Sequence, residues 1–400
     1  MRILHIADVH WRGLSRHQEY VLAFKDLFRQ AIDLKPDVIY VGGDIVHSKT
    51  QGISPELVEN LVWWFNELAN IAPTHIILGN HDGLIHNKDR QDAITPIIDA
   101  IDNKNIFLYK ESGVYPTGIP GFDWCVFSCF DEENWDKVKP TKNISIALFH
   151  GAVTGSLTDI DWQLDGEVPV SFFDAFDFGF LGDIHKRQFL NQRKTVAYCG
   201  STVQQNYGED VGKGFLLWDI EDRDNFKVDF IPISNKKSFY TINWEGDIVS
   251  TLSKVTKKMT YGRFRVKSSE SIPQSEIKQL FNELREVYKA TEVVFKWDIE
   301  DNKDEKISLG DTVLDKEDLS DPSIHVKLMN EYTKTFVLSE DERDILEDLT
   351  KRIASESSRH ENKKNLKWSL KKIKFDNTFG YGNGNVIDFD KITGITGLFG

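Results

Sequence analysis

The chain has 400 residues, enough for two or three domains at roughly 100–200 residues each. Hydrophobic residues make up 40% and charged residues 28%, which excludes wholesale disorder and fibrous repeats. Lys and Arg number 49 against 63 Asp and Glu, a formal charge of −14. A chain this acidic meets a phosphate backbone only where bound divalent metal or a local basic stretch supplies positive charge. No apolar run approaches the roughly 18–20 residues of a membrane span. The first residues, MRILHIADVHW, carry an Asp and a His inside the apolar run and do not read as a signal peptide. Three cysteines (Cys125, Cys129, Cys199) cannot build a disulfide framework, so a reducing, cytoplasmic setting is expected.

The first half alternates strand and helix patterns. Residues 2–7 form a short apolar run. A helix is predicted over 17–34, with Val21, Phe24, Leu27, Phe28 and Ala31 on one face. Residues 37–41 are the next strand, closed by Gly42 and Gly43. Ser54 and Pro55 read as an N-cap and first helical position, followed by Leu57, Leu61, Trp64 and Leu68. Residues 74–78 are a third strand, and 144–149 and 177–181 two more. Residues 215–220 and 227–231 flank the turn-like EDRDN as a hairpin. This rhythm predicts an α/β layered core.

Composition shifts near 234–238. Beyond it, strands over 263–267 and 292–298 enclose a helix over 274–289, a small α+β unit. Residues 300–325 are acidic and read as a solvated linker. Ser339 and Glu342 make a capping box, opening a helix with Ile345, Leu346, Leu349 and Ile353 on one side. That helix packs either on its own chain or on a partner. Residues 363–374 hold six lysines and no acid, a solvated basic segment or a contact for DNA phosphate. The remaining residues predict a hairpin and a further strand.

Chemistry collects where the strands end. Asp8 and His10 follow the first, Asp44 the second, and Asn80, His81 and Asp82 the third. His150 ends the next, and Asp183 and His185 follow the last. In α/β sheets ligands gather at the carboxyl ends of the strands. Residues i and i+2 of an extended segment share a side, so Asp8 with His10, and Asp183 with His185, can each offer two ligands to one site. Carboxylate, imidazole and amide donors without thiolate suit Mn²⁺, Mg²⁺, Fe or catalytic Zn²⁺. Seven such groups exceed one ion and fit two, bridged by a shared carboxylate. Any one of these motifs occurs by chance as a turn or a core histidine. Five in order at strand ends do not. His5, His17, His75, His86, His325 and His360 lack this context and are assigned no role.

The series D-x-H, G-G-D, G-N-H-D, H-G and G-D-x-H resembles that of the calcineurin-like metallophosphoesterases. More narrowly, it resembles the SbcD-type double-strand-break repair nucleases. The segments GGDIVHSKTQGISPE, GNHDGLIHNKDRQDAI, LGDIHKRQ and YCGSTVQQNYGED followed by KGFLLWDI carry the narrower likeness, and some are phage-like. The resemblance implies a four-layer α/β/β/α sandwich over residues 1–233, a capping, DNA-binding domain over 234–300, and a linker with a partner-binding helix over 301–362. It implies one metal held by Asp8, His10, Asp44 and His185. A second is held by Asp44, Asn80, His150 and Asp183, with Asp44 bridging. His81 assists departure of the 3′ oxygen and His47 orients it. Mn²⁺ is the first expectation for both ions, with Mg²⁺ or Fe as alternatives. Asp183 departs from the histidine common in cellular members and remains a competent hard-metal ligand. Cys199 stands where relatives often have proline and reads as a small buried hydrophobe.

Residues 363–400 are similar to the first strands of SMC-like ATPases of the SbcC type, the usual partner of the nuclease. Gly400 takes the place of the first phosphate-loop glycine. The expectation is the front of a nuclease–ATPase fusion, against an ordinary hairpin or a decayed remnant. The activity implied is hydrolysis of DNA phosphodiesters, exo or endo, by a homodimer working with an SMC-like ATPase in cis or in trans. If the source is viral, it acts inside the host cell. Two alternatives stand beside it. One is another phosphoesterase, acting on phosphoproteins or small diesters, although the Asp-Arg-Gly and G-N-H-E of protein phosphatases are replaced here by GGDIVHSK and GNHD. The other is a non-catalytic scaffold for DNA ends.

Overall fold

The computed structural model describes residues 1–47, 53–87, 90–297, 326, 329–330, 333, 339–361, 371–375 and 384–388. The chain divides into two units, residues 1–270 with 274–299, and residues 271–273 with 300–400.

The first unit holds two six-stranded sheets. Strands β1 (Arg2–Ile6), β2 (Val38–Gly42), β3 (Thr74–Ile77) and β4 (Ile106–Tyr109) run parallel. The hairpin β11 (Gly214–Ile220) and β12 (Phe226–Pro232) adds antiparallel to β1, giving the order β12-β11-β1-β2-β3-β4. The second sheet has the order β5-β6-β7-β8-β10-β9, from β5 (Gly113–Pro116), β6 (Phe122–Phe127), β7 (Ile144–His150), β8 (Phe178–Gly182), β9 (Gln188–Phe189) and β10 (Val196–Tyr198).

Period-2 alternation sorts the core into layers. Ile3, Val38, Tyr40 and Trp218 of the first sheet meet Trp124, Ile146, Leu148 and Phe180 of the second. The other face of the first sheet, with Leu4, Ile6, Ile39 and Val41, packs on helices α1 (His17–Leu34), α2 (Pro55–Ile71) and α3 (Thr95–Ile101). The outer face of the second sheet, with Phe127, Phe149 and Leu181, is covered by Trp135, Phe172 and Phe173 from two 3₁₀ turns. The α/β sandwich expected from the sequence is the fold observed. Helix α2 starts as predicted, with the Ser54 hydroxyl accepting from the Leu57 N–H at 3.1 Å and Pro55 next.

Four strands of the second sheet, β5, β6, β9 and β10, escaped the sequence reading. Strand β6 (FDWCVF) is buried on both faces and shows no alternation to mark it. The unit beyond 234 is also larger than expected. It begins with β13 (Phe239–Asn243) and α4 (Ile248–Ser253), then β14 (Arg263–Ser268), α5 (Gln274–Val287) and β15 (Glu292–Trp297). Its three strands are all parallel. Only Ile242 of β13 is buried, so that strand reads as polar linker. The unit joins the sandwich through polar contacts. The Gln204 side chain accepts from the Phe239 N–H and donates to its carbonyl, at 2.8 and 3.0 Å. Arg263 reaches Glu19 at 2.8 Å.

In the second unit, Ser339 and Glu342 form the predicted capping box at the start of α6 (Glu340–Glu361). Strands β16 (Lys372–Phe375) and β17 (Asn385–Asp388) pair antiparallel as the expected hairpin. The acidic stretch 300–325, most of the lysine-rich segment and the terminal glycine-rich run lie outside the described residues. No described helix is long and apolar enough to cross a membrane.

Two histidines without a catalytic context lie between the sheets. His5 is fully buried, stacked on Phe180 at 5.1 Å, and neither ring nitrogen has a hydrogen-bond partner. His75 meets the Tyr109 hydroxyl at 2.8 Å. Burial disfavours the charged ring and pulls His5 down to about 3 and His75 to about 4. Below pH 6.5, the ordinary value, the unfolded chain gains protons that the folded chain refuses. Stability therefore falls as pH drops from there toward the folded values, by at most about 1.4 kcal/mol per pH unit for each ring. Urea unfolding of His5→Phe between pH 6.5 and 4.5 is expected to show a shallower acid slope than the unaltered chain. An unchanged slope would contradict a neutral buried His5.

Candidate metal centre

The carboxyl ends of β1, β2 and β3 meet those of β7 and β8 across the gap between the sheets. Three backbone bonds sew the loops together. The Asp8 N–H donates to the Gly43 carbonyl at 3.1 Å, the His10 N–H to the Asp44 carbonyl at 2.9 Å, and the Gly151 N–H to the Gly182 carbonyl at 3.2 Å. Gly43 has φ +86°, and a Cβ there would stand 2.6 Å from His150 Nδ1 and 2.7 Å from the Gly79 nitrogen. At Gly79 a Cβ would collide with Asp44. These two glycines let the loops close to backbone contact.

The side chains held there carry strained backbones. Asp8, His10, Asp44 and Asp183 all have positive φ, at 51°, 54°, 52° and 99°. Such conformations cost roughly 1–3 kcal/mol each and persist where surrounding structure over-determines them. Their clustering on four predicted ligands marks the place where geometry was favoured over stability.

The sequence named seven ligands. Five of them, Asp8, His10, Asp44, His150 and His185, fall into groups whose ligand atoms lie within 4.8 Å of one another. Asp44 belongs to two such groups, one with Asp8 and His150 and one with His10 and His81. His10 Nε2 faces His185 Nε2 at 2.9 Å and Asp44 Oδ2 at 3.5 Å. Asp183 and Asn80 stand at the rim. The Asn80 amide donates to Asp183 Oδ1 at 3.2 Å, and that oxygen is 3.9 Å from His150 Nε2. His81 is more open, its side chain 43% exposed against 2% for Asp44, with Nε2 4.0 Å from Asp44 Oδ2. Its Nδ1 bonds to the His47 carbonyl. The His47 ring is 6.1 Å from that of His81, so His47 supports His81 through its backbone.

Three observations test whether these residues suit metal. Asp8 Oδ2 and His150 Nε2 are buried without a hydrogen-bond partner. The latter stands 3.2 Å from Asp44 Oδ1. Two imidazole Nε2 atoms point at each other, which a shared cation resolves. Finally, buried carboxylates need compensation. Burial, against the pull of His185 and His150, pushes Asp8 up to about 7. Despite burial, His150 and His10 hold Asp44 well below the usual carboxylate range. The same contact with Asp44 holds His150 well above the ordinary histidine value, again against burial. The donor set fits hard or borderline divalent cations.

Several supporting residues are given no role by the sequence, and of these only Asp82 is noted at a strand end. Asp82 is fully buried, and its carboxylate accepts the N–H groups of Ile45, Val46 and Gly79 at 2.9–3.0 Å, locking two site loops. The Tyr20 hydroxyl donates to the His10 carbonyl at 2.7 Å. Glu209 accepts His185 Nδ1 at 2.8 Å and is itself held by Ser201, the Gln205 N–H and Lys213. Burial opposes its ionisation, but His185 and Lys213 hold its carboxyl at about 2. A carboxylate behind a ligating imidazole fixes its tautomer and leaves Nε2 for the metal. Glu209 sits in the YCGSTVQQNYGED segment, 24 residues after His185, and only folding reveals the contact.

Glu209→Gln is expected to weaken Mn²⁺ binding, read as free Mn²⁺ by electron paramagnetic resonance, by roughly 10–100-fold. Circular dichroism should stay unchanged. Unaltered affinity would show that Glu209 does not set His185.

The calcineurin-like phosphoesterase family matches residues 1–187. Uncharacterized protein R555 of Acanthamoeba polyphaga mimivirus is 31% identical over 98% of this chain, which spans only 30% of that protein. The DNA double-strand break repair protein Mre11 of Archaeoglobus fulgidus is 23% identical, with 64% of each chain covered. The protein of that name from Halobacterium salinarum is 24% identical over 54% of this chain and 55% of its own length. Residues 1–187 therefore match a calcineurin-like phosphoesterase domain.

Proposed function

We propose that the chain is a metal-dependent DNA nuclease of double-strand-break repair or recombination. The observation that carries the reading is the convergence of acid and imidazole groups from five strand ends, beside a separate α+β cap. Similarity to archaeal repair proteins named Mre11 supports it over other phosphoesterases. The domain division at 233 and 300, a homodimeric assembly and an SMC-like ATPase partner in cis or in trans belong to the same proposal. So does action inside a host cell, in keeping with the mimivirus relative.

In this reading Asp8, His10, Asp44 and His185 hold one ion, and Asp44, Asn80, His150 and Asp183 the other. Bound there, the ions supply Lewis acidity at the phosphoryl oxygens and local positive charge that a chain of −14 otherwise lacks. Asp44, accepting the His81 N–H at 2.9 Å, fixes the loop that carries His81. With Nδ1 committed to the His47 carbonyl, His81 keeps Nε2 for a proton that a departing 3′ oxygen takes up. His10 and His150 are buried and shielded from exchange with solvent, whereas exposed His81 faces an arriving strand.

Cleavage of linear double- and single-stranded DNA with Mn²⁺ tests the proposal, alongside a phosphopeptide and a small aryl phosphodiester. DNA should be cut, Asp44→Asn should abolish turnover, and His81→Ala should lower kcat by roughly 10²–10⁴ while Mn²⁺ stays bound. Turnover of the phosphopeptide alone would contradict the nuclease reading. So would DNA binding without cleavage.

A further inference from the structure

Arg12 follows His10 by two residues in a segment locked beside the site. The Trp11 N–H donates to the Ile45 carbonyl and the His47 N–H to the Trp11 carbonyl, both at 2.8 Å. His17 Nε2 lies 2.6 Å from the Arg12 carbonyl. The segment is therefore pinned between the loop of His47 and the start of α1. Trp11 turns inward and stacks on Tyr20 and Phe24. Arg12 is only partly buried.

Its guanidinium has no acceptor and no carboxylate among the described residues, and its Nε is buried without a hydrogen bond. Three neighbouring cations pair with carboxylates, although Arg16 also keeps a buried Nη1 without a hydrogen bond. Arg16 pairs with Glu19 at 2.7 Å, Lys213 with Glu209 at 3.0 Å, and Lys186 with Asp161. A guanidinium without an acceptor keeps its outer N–H donors for a ligand. Arg12 is also close enough to His47 that, after burial, its charge is the next cause holding His47 down to about 4. A guanidinium offers a planar fork that matches phosphate oxygens bidentately.

We propose that Arg12 binds a non-bridging phosphate oxygen of the substrate on the His47 and His81 side of the centre. The ligand class is a phosphodiester or its phosphate product. This rests on the phosphoesterase site above, but needs neither a base nor a strand. Arg12 adds a fixed positive charge that no ligand exchange removes, beside a centre otherwise built of carboxylates, imidazoles and one amide.

The test is calorimetric binding of inorganic phosphate to the Mn²⁺-loaded full chain, with Arg12→Met and Arg12→Lys as variants. The Kd for phosphate should rise about tenfold in Arg12→Met, and less in Arg12→Lys, which keeps the charge but loses the fork. Mn²⁺ affinity should stay within about twofold, since Arg12 is not a metal ligand. An unchanged phosphate Kd in Arg12→Met would overturn the proposal, as would absence of phosphate binding by the unaltered chain. A fall in Mn²⁺ affinity in step with the phosphate effect would also overturn it, by placing Arg12 in the support of the metal centre. Phosphate carries no sequence or strand. Failure of DNA cleavage with the phosphate effect intact therefore sinks the nuclease reading alone, and the reverse sinks only the role of Arg12.

Discussion

Three carboxylates, Asp8, Asp44 and Asp183, are brought together where two sheets end, and the rest of the structure answers to that crowding. The Asp183 N–H donates to Asp8 Oδ1 at 2.9 Å, and the His81 N–H to Asp44 Oδ1 at the same distance. Backbone donors of this kind orient the acids but do not neutralise them. In a buried setting each unpaired negative charge is costly, and imidazoles from the same and two further strand ends offset only part of it. The left-handed backbones at Asp8, His10, Asp44 and Asp183 show that the fold accepts strain to keep these groups facing one another. Divalent cations are the natural complement, and the sandwich behind them supplies the rigidity that holds the donors apart from solvent.

That rigidity has a recognisable source. Both sheets contribute their inner faces to one aromatic-rich layer, where Trp124, Phe180 and Trp218 interleave with Tyr40 and His5. Strand ends anchored in such a layer move little, so loops as short as Gly42–Asp44 can deliver ligands with fixed direction. Behind the ligands stand Asp82, Tyr20 and Glu209, each gripping backbone or imidazole from a different element. Through Gln204, which bonds both the Glu209 carbonyl and Phe239, this support is continuous with the first strand of the cap.

Much of this was legible in the sequence. Strands β1, β2, β3, β7 and β8 announce themselves as apolar runs, and the acid or histidine after each is visible without any structure. The α/β class, the capped start at Ser54 and the two hairpins follow from the same local rules. What stayed hidden is whatever depends on distance along the chain. Strand β6 is buried on both faces and lacks a period. Strand β13 exposes most of its side chains and looks like linker. Glu209 reaches His185 only after two strands and a turn intervene, and Arg12 gains meaning only when its guanidinium proves to have no partner. Spacing could propose seven ligands, but it could not say that Asn80 and Asp183 lean on each other at the rim while the other five interlock.

In the proposed site one carboxylate, Asp44, serves both ions. Anomalous diffraction from crystals grown with Mn²⁺ addresses it most directly. Two anomalous peaks are expected at roughly 3.5–4 Å separation with Asp44 between them, one beside His10 and His185 and the other beside His150. A single peak, or two that do not share Asp44, would contradict it.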